Sequence, residues 1–397
     1  MRFERAAVPV GFAWSSPFAR WQGPFAELSS LDLAAAVTER ALADRGLPPS
    51  EVASLVFGWT VPQEGSFYGA PTLAARIGAG SVTGPMISQA CATSVACVQA
   101  AAASVETGED GLQLVCVTDR TSNGPHLVFP APSSPGGTPR SENWVMENFR
   151  RDPWAGKSMV ETAERVAAEA GVTREEIDAV ALLRYEQYHE AALANERAFQ
   201  RQYMVPVEVP RGKRRADVVE GDVGVHETTT EGLAALEPVV PGGVVTFGAQ
   251  THPADGAAGL VVTSSERART LSHDGIARIL ATGVARVGKA EMPKAPVPAA
   301  RAALDAAGLR IDEVDAVTTH NPFAVNDIYF SRQMGHPVEA MNEHGSSLIY
   351  GHPQGPTGAR LIAELIETLR RRGGGVGLFT GCAAGDTGAA VVLRVED

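Results

Sequence analysis

Short apolar runs separated by stretches of helical period divide the chain into repeated α/β units. Residues 41–58 (ALADRGLPPSEVASLVFG) read as a helix end, a Gly-Leu stop, a short turn, Glu-Val and an apolar strand, and residues 303–320 (ALDAAGLRIDEVDAVTTH) read the same way. The two lie 262 residues apart, 41 against 303. The same offset carries residues 114–118 (LVCVT) onto 376–380 (VGLFT), both of the kind that form strands covered on both faces. A register that holds this far predicts a duplicated α/β half.

A third look-alike, residues 171–180 (GVTREEIDAV), runs on into a polar, helix-prone stretch instead of a strand, which assigns it to an inserted segment. The insertion begins after the strand ending near Asp119, where the Pro/Gly/Ser-rich residues 129–140 predict a loop, and ends before residues 244–247.

With 397 residues and 44% hydrophobic composition, the chain can bury a sizeable core spread over two or three domains. Its apolar runs are broken by Gly or charge well before the roughly 18 residues a membrane span needs. Arg2, Glu4 and Arg5 stand where a signal core would be apolar, so a cytoplasmic protein with no membrane partner is expected. The net charge of -12 argues against a nucleic-acid partner and leaves one basic run, residues 211–215 (RGKRR), to hold a phosphate-bearing ligand. Four scattered cysteines make no disulfide framework, and no CxxC or histidine spacing points to a metal.

Each cysteine is then either packing or chemistry. Cys97, inside an Ala-rich helix, and Cys116, inside an apolar strand, are expected to be core. Cys91 falls at the turn from a short extended run into that helix, where unpaired backbone N–H groups and the positive helix end favour a thiolate. The 262-residue offset sets Cys91 against Pro353, next to His352, in a glycine-flanked turn before a helix carrying Leu361, Ile362, Leu365, Ile366 and Leu369. A histidine there can act as general base to a thiol. Cys382, in the small-residue turn GCAAGDTG after the last repeat strand, and His320, at the end of its own strand, complete four candidates at the ends of related strands.

These residues resemble the thiolase superfamily, and the resemblance covers nearly the whole chain. SQACATSVACVQAA is similar to the thiolase nucleophile block, VVTFGAQTHPADGAAGLVV to its middle block, GHPQGPTGAR to its histidine block and GLFTGCAAGDTGAA to its C-terminal cysteine block. The resemblance implies an α/β thiolase fold: two duplicated βαβαβαββ halves in a five-layered α/β/α/β/α core with an inserted loop domain. The halves are expected at residues 1–272, with the loop domain at about 120–243, and at 273–397.

The same resemblance implies an acyl-CoA C-acyltransferase that condenses acyl-CoAs or cleaves a 3-ketoacyl-CoA through acyl-Cys91. His352 would take the Cys91 proton and, with His320, hold the enolate oxygen. Cys382 would move the α-proton, and the backbone N–H of Ala384, with that of Cys91, would hold the acyl oxyanion. Met159, Thr251 and Phe323 are the implied substrate and CoA contacts. Coenzyme A thioesters are expected as substrates, with no permanently bound cofactor, and a homodimer or homotetramer acting in fatty acid or lipid metabolism is expected.

The chain also departs from the family. His320-Asn321-Pro322-Phe323 replaces the usual Asn-Glu-Ala-Phe and is similar to the sterol-carrier-protein and archaeal branches; Ala383-Ala384 stands where glycines are usual, and Val225 where an arginine often meets the CoA adenine. Two alternatives follow: a decarboxylating enzyme like a ketoacyl synthase, against which Cys382 argues, and a thiolase-fold scaffold or partner subunit without turnover. Trp59, Phe67 and Tyr350 are open between pocket wall and core.

Overall fold

The duplicated register becomes two sheets of the same strand order in the computed structural model, which describes residues 1–109, 111–122, 124–212 and 215–397. In the first half Val52–Gly58 runs parallel to Leu112–Arg120, which pairs antiparallel with Ala254–Ser264, which pairs antiparallel with Ala6–Pro9. The second half repeats this: Ala316–His320 is parallel to Gly375–Ala383, then Thr387–Glu396 and Ile276–Arg286 follow, both antiparallel. Ala6–Pro9 also pairs with Ile276–Arg286 and so joins the two sheets. The helix stops read from the sequence are present at Gly46 (φ 62°) and Gly308 (φ 71°), where a left-handed residue ends each repeat helix.

The halves differ at their third strand. Met86–Ile87 pairs with Val52–Gly58 at the free edge of the first sheet. At the matching register the second half forms the short helix Ser347–Tyr350, and a single parallel bridge from Met341 to Val317 is what remains of the strand. Tyr350 is spent on packing there: its ring lies 5.8 Å from Phe18 and 6.1 Å from Tyr188.

Thr93–Glu106 and Pro356–Arg371 fill the middle layer between the sheets, while Ser30–Asp44 and Pro296–Ala307 cover the outer faces. The five layers of the expected fold are thus present. The second middle helix is buried along residues 356–369, polar positions included. Arg360 reaches Asp222 at 2.6 and 2.8 Å and Glu364 at 2.9 Å, and its guanidinium lies 3.5 Å from the Tyr350 ring centre. Asp222 comes from the segment between Leu112–Arg120 and Ala254–Ser264, which covers the face that helical periodicity leaves polar.

Removing one partner from such a buried pair leaves an uncompensated charge. Arg360→Ala is expected to cost about 3–5 kcal/mol, read as a lowered urea midpoint at unchanged slope.

The same segment holds the helices Met159–Ala170 and Arg174–Tyr188, each opened by a capping box, Ser158 with Glu161 and Thr173 with Glu176. Residues 171–180 are therefore a helix-to-helix turn and a helix start. Among the described residues no helix is long and apolar enough to cross a membrane.

Candidate active site

Cys91 sits between the strand Met86–Ile87 and the helix that begins at Thr93. Ala90 takes φ 45°, a conformation a side-chain-bearing residue seldom adopts, and so swings Cys91 off the helix start. Thr93 locks this turn, its Oγ1 donating to the Ala90 carbonyl at 2.6 Å while accepting from the Gln89 N–H at 2.8 Å.

The opposite turn comes from the second half. A Cβ added at Gly358 would stand 2.9 Å from Ser94 Cβ, so glycine lets the two middle helices approach, and Ser94 Oγ donates to the Gly355 carbonyl at 2.5 Å. Cys91 Sγ and His352 Nε2, 261 residues apart in the chain, consequently lie 3.1 Å apart.

The helix-end reading of Cys91 needs correction. Its N–H and that of Ala384 hydrogen-bond to the sulfur and favour the thiolate, yet desolvation outweighs them and pushes the thiol up to about 12. Burial thus works against the thiolate at this turn. Asp119 lies close enough to act on it. Burial raises that carboxyl to about 7 against bonds from the N–H groups of Thr60, Val61 and Gly355 at 2.7, 2.8 and 2.9 Å.

His320 and His352 stack with ring centres 4.0 Å apart at 30°. His320 Nδ1 meets Ser347 Oγ at 3.0 Å, and His352 Nδ1 meets Thr357 Oγ1 at 2.7 Å. His320 Nε2 has no hydrogen-bond partner. Desolvation holds His320 down at about 3 and His352 well below the ordinary histidine value, the latter also through its stacked neighbour. Both rings are neutral at physiological pH.

This has a sign in stability. Between about 6.5 and about 3 the unfolded chain binds a proton that folded His320 refuses, so its contribution is complete above 6.5 and falls as pH drops, by about 1.4 kcal/mol per pH unit. Asp119, raised, acts oppositely between its ordinary value and about 7. Urea melts of wild type and His320→Asn from pH 7 to pH 4 isolate the histidine: the variant's stability is expected to fall less steeply with acidification.

Cys382 Sγ accepts a hydrogen bond from Asn326 Nδ2 at 3.3 Å, and burial together with the nearby Cys91 pushes its thiol up. Asp152 holds the adjoining turn by accepting from the Gly385 N–H at 3.0 Å. Cys97 and Cys116 are buried, as their helix and strand positions implied.

Two family descriptions account for almost all of the chain: "Thiolase, N-terminal domain" matches residues 10–266 and "Thiolase, C-terminal domain" residues 273–395. The chain belongs to the thiolase family. It is 30% identical to an acetyl-CoA acetyltransferase of Syntrophomonas wolfei over 404 aligned residues, covering 98% of this chain and 99% of that one. With the crystal structure of the Bacillus anthracis acetyl-CoA acetyltransferase it shares 27% identity at a TM-score of 0.91, each chain covered to 99%. A human mitochondrial 3-ketoacyl-CoA thiolase in complex with CoA matches at a TM-score of 0.90 and 26% identity over the full length of both chains.

In this thiolase one cavity of about 300 Å³ is lined by Cys91, His320, His352, Cys382 and Ala384, so the chain brings together all five residues named for catalysis. Met159, Thr251 and Phe323 line it too. Of the basic run, the described Arg211 and Arg215 do not line it, Arg211 being exposed and paired with Asp217 at 2.8 Å; Lys213 and Arg214 lie outside the described residues. Of the three aromatics left open, Tyr350 is core, Trp59 is half-buried off the cavity, and Phe67 is 82% exposed, neither wall nor core.

Sequence reasoning missed Asn326, Thr357, Ser347 and Arg150. Asn326 and Thr357 follow His320 and His352 by six and five residues, at the starts of the next helices, and that proximity was the available signal. Arg150, at the end of Met146–Arg150, is among the described residues the one permanently charged side chain in the cavity lining. Nothing local in the sequence marks it.

Proposed function

We propose that this thiolase is an acyl-CoA C-acyltransferase working through an acyl group on Cys91, in condensation or in thiolytic cleavage of a 3-ketoacyl-CoA. The observation that carries the reading is the 3.1 Å contact of Cys91 Sγ with His352 Nε2 in a cavity that Cys382 also lines.

The proton balance follows from burial. With the thiol raised and the imidazole lowered, a resting thiolate–imidazolium pair is disfavoured, so His352 takes the Cys91 proton as sulfur attacks the thioester carbonyl. Negative charge then moves to the carbonyl oxygen, where the N–H groups of Cys91 and Ala384 receive it, and CoA departs with the proton. Cys382 passes its own thiol proton to the again-neutral His352 and, as the thiolate, takes the α-proton of a second acyl-CoA. His352 and His320 hold the enolate oxygen, a role that the unpartnered His320 Nε2 supports. The enolate carbon attacks the acyl group and frees the Cys91 thiolate, which takes the proton held on His352, so that both thiols and the neutral imidazole are restored.

Met159, Thr251 and Phe323 contact the CoA arm and acyl group, with Arg150 supplying positive charge. The division into residues 1–272 and 273–397, with the loop domain at about 120–243, belongs to the same reading and is supported by the strand order starting afresh at Ile276–Arg286. A cytoplasmic location suits four free thiols, one of them the nucleophile. A homodimer or homotetramer is supported by the uncovered strand edge at Met86–Ile87 and by Phe67 and Tyr68, 82% and 68% exposed. The test is CoA-dependent cleavage of a panel of 3-ketoacyl-CoAs; loss of the 3-ketoacyl absorbance is expected, and no turnover with any member overturns the assignment.

A further inference from the structure

Chain spacing gave no reason to expect a metal site, but folding builds a cluster of donor atoms. Cys91, His320 and His352 each offer one ligand atom, all within 4.8 Å of one another, and among the described residues this is the one such group of three. We propose that these three side chains form a binding site for a thiophilic divalent cation of the Zn²⁺ type, whose occupancy blocks the nucleophile.

The spacing suits the ion. With Zn–N about 2.0–2.1 Å and Zn–S about 2.3 Å, tetrahedral donors stand roughly 3.3–3.6 Å apart. The Cys91–His352 pair is at 3.1 Å and the whole trio within 4.8 Å, so a closure of at most about 1.5 Å between any two donors brings them to that spacing.

A metal-binding histidine commonly has its second nitrogen engaged by an outer partner. Ser347 Oγ meets Nδ1 of His320 and Thr357 Oγ1 meets Nδ1 of His352; a hydroxyl can accept as well as donate, so each ring can carry its proton on Nδ1 and offer an unprotonated Nε2, and binding an ion turns the two rings out of their 4.0 Å stack. His320 Nε2 belongs to a residue only 2% exposed and has no partner, a deficit that a metal bond would remove.

Three protein donors leave the fourth position to water from the cavity. Binding replaces the Cys91 S–H bond with an S–metal bond and releases the proton to solvent, so affinity rises with pH. A sulfur bound to the ion cannot attack a thioester. The cation thus competes with acyl-CoA at the first step.

The site is tested on metal-free enzyme without substrate, independently of the transfer reaction. Titration with Co²⁺ is expected to give a thiolate-to-cobalt charge-transfer band saturating at one equivalent, and Zn²⁺ to abolish it. Cys91→Ala should lose the band. Ser347→Ala, outside the donor set, should weaken Zn²⁺ binding by about 10–100-fold in a calorimetric titration while leaving the fold unchanged by circular dichroism. His320→Asn should weaken it at least as much. Absence of the band in wild type, or Zn²⁺ affinity unchanged in folded Ser347→Ala and His320→Asn, overturns the proposal. A band present in enzyme that transfers no acyl group would sink the acyltransferase reading and leave the metal site standing.

Discussion

Cys91→Ala is expected to lower turnover by about four orders of magnitude or more and to leave the protein unlabelled by acetyl-CoA. The change removes one sulfur from a half-buried position and leaves the His352–Thr357 bond, the Ala384 N–H and the cavity walls in place. Substrate can still enter, but there is no atom to attack it. Alanine also forbids the covalent route that splits one hard step into two easier ones. Intact-mass measurement after incubation with acetyl-CoA checks this directly: wild type gains one acetyl group and the variant none. Turnover within tenfold of wild type would remove Cys91 as nucleophile.

Cys382→Ala is expected to separate the half-reactions. In the proposed mechanism acyl transfer to sulfur uses Cys91, His352 and two backbone N–H groups, none of which depends on residue 382, so CoA release from acetyl-CoA in a single turnover should stay within about tenfold of wild type. Abstraction of the α-proton does depend on it, and loss of a positioned general base typically costs about 10²–10⁴-fold. Steady-state condensation and thiolysis should fall by that factor, together with solvent deuterium exchange at the acetyl α-carbon. The Asn326 amide loses its hydrogen bond to sulfur in this variant, at a modest stability cost. If exchange persists at the wild-type rate, another group moves the proton.

The histidines extend the same logic. His352 and His320 are shielded bases whose protonation the fold resists, and that resistance ties acid stability and the chemistry of the cavity to one cause, burial. Asp119 is a second consequence of the same burial: it clamps the Thr60–Val61 turn to Gly355, next to the nucleophile's partner, with a carboxyl that titrates near neutrality.

Much of this protein was readable along the chain. The 262-residue register announced the duplication because each half had to solve the same packing problem with the same helix stop, turn and buried strand. The turns bearing Cys91, His352, Cys382 and His320 were legible because small residues and glycine mark strand ends that side chains must leave open. Tertiary structure alone decided that the surroundings of Cys91 oppose its thiolate, since desolvation depends on what surrounds the sulfur and not on its place at a helix start. It alone revealed the burial of Arg360 and Glu364, the charge of Arg150 at the cavity and the hydrogen bonds from Asn326, Ser347 and Thr357. Local pattern records what a segment needs from its neighbours; which neighbours arrive, and how much water they expel, is set by contacts between residues far apart in the chain.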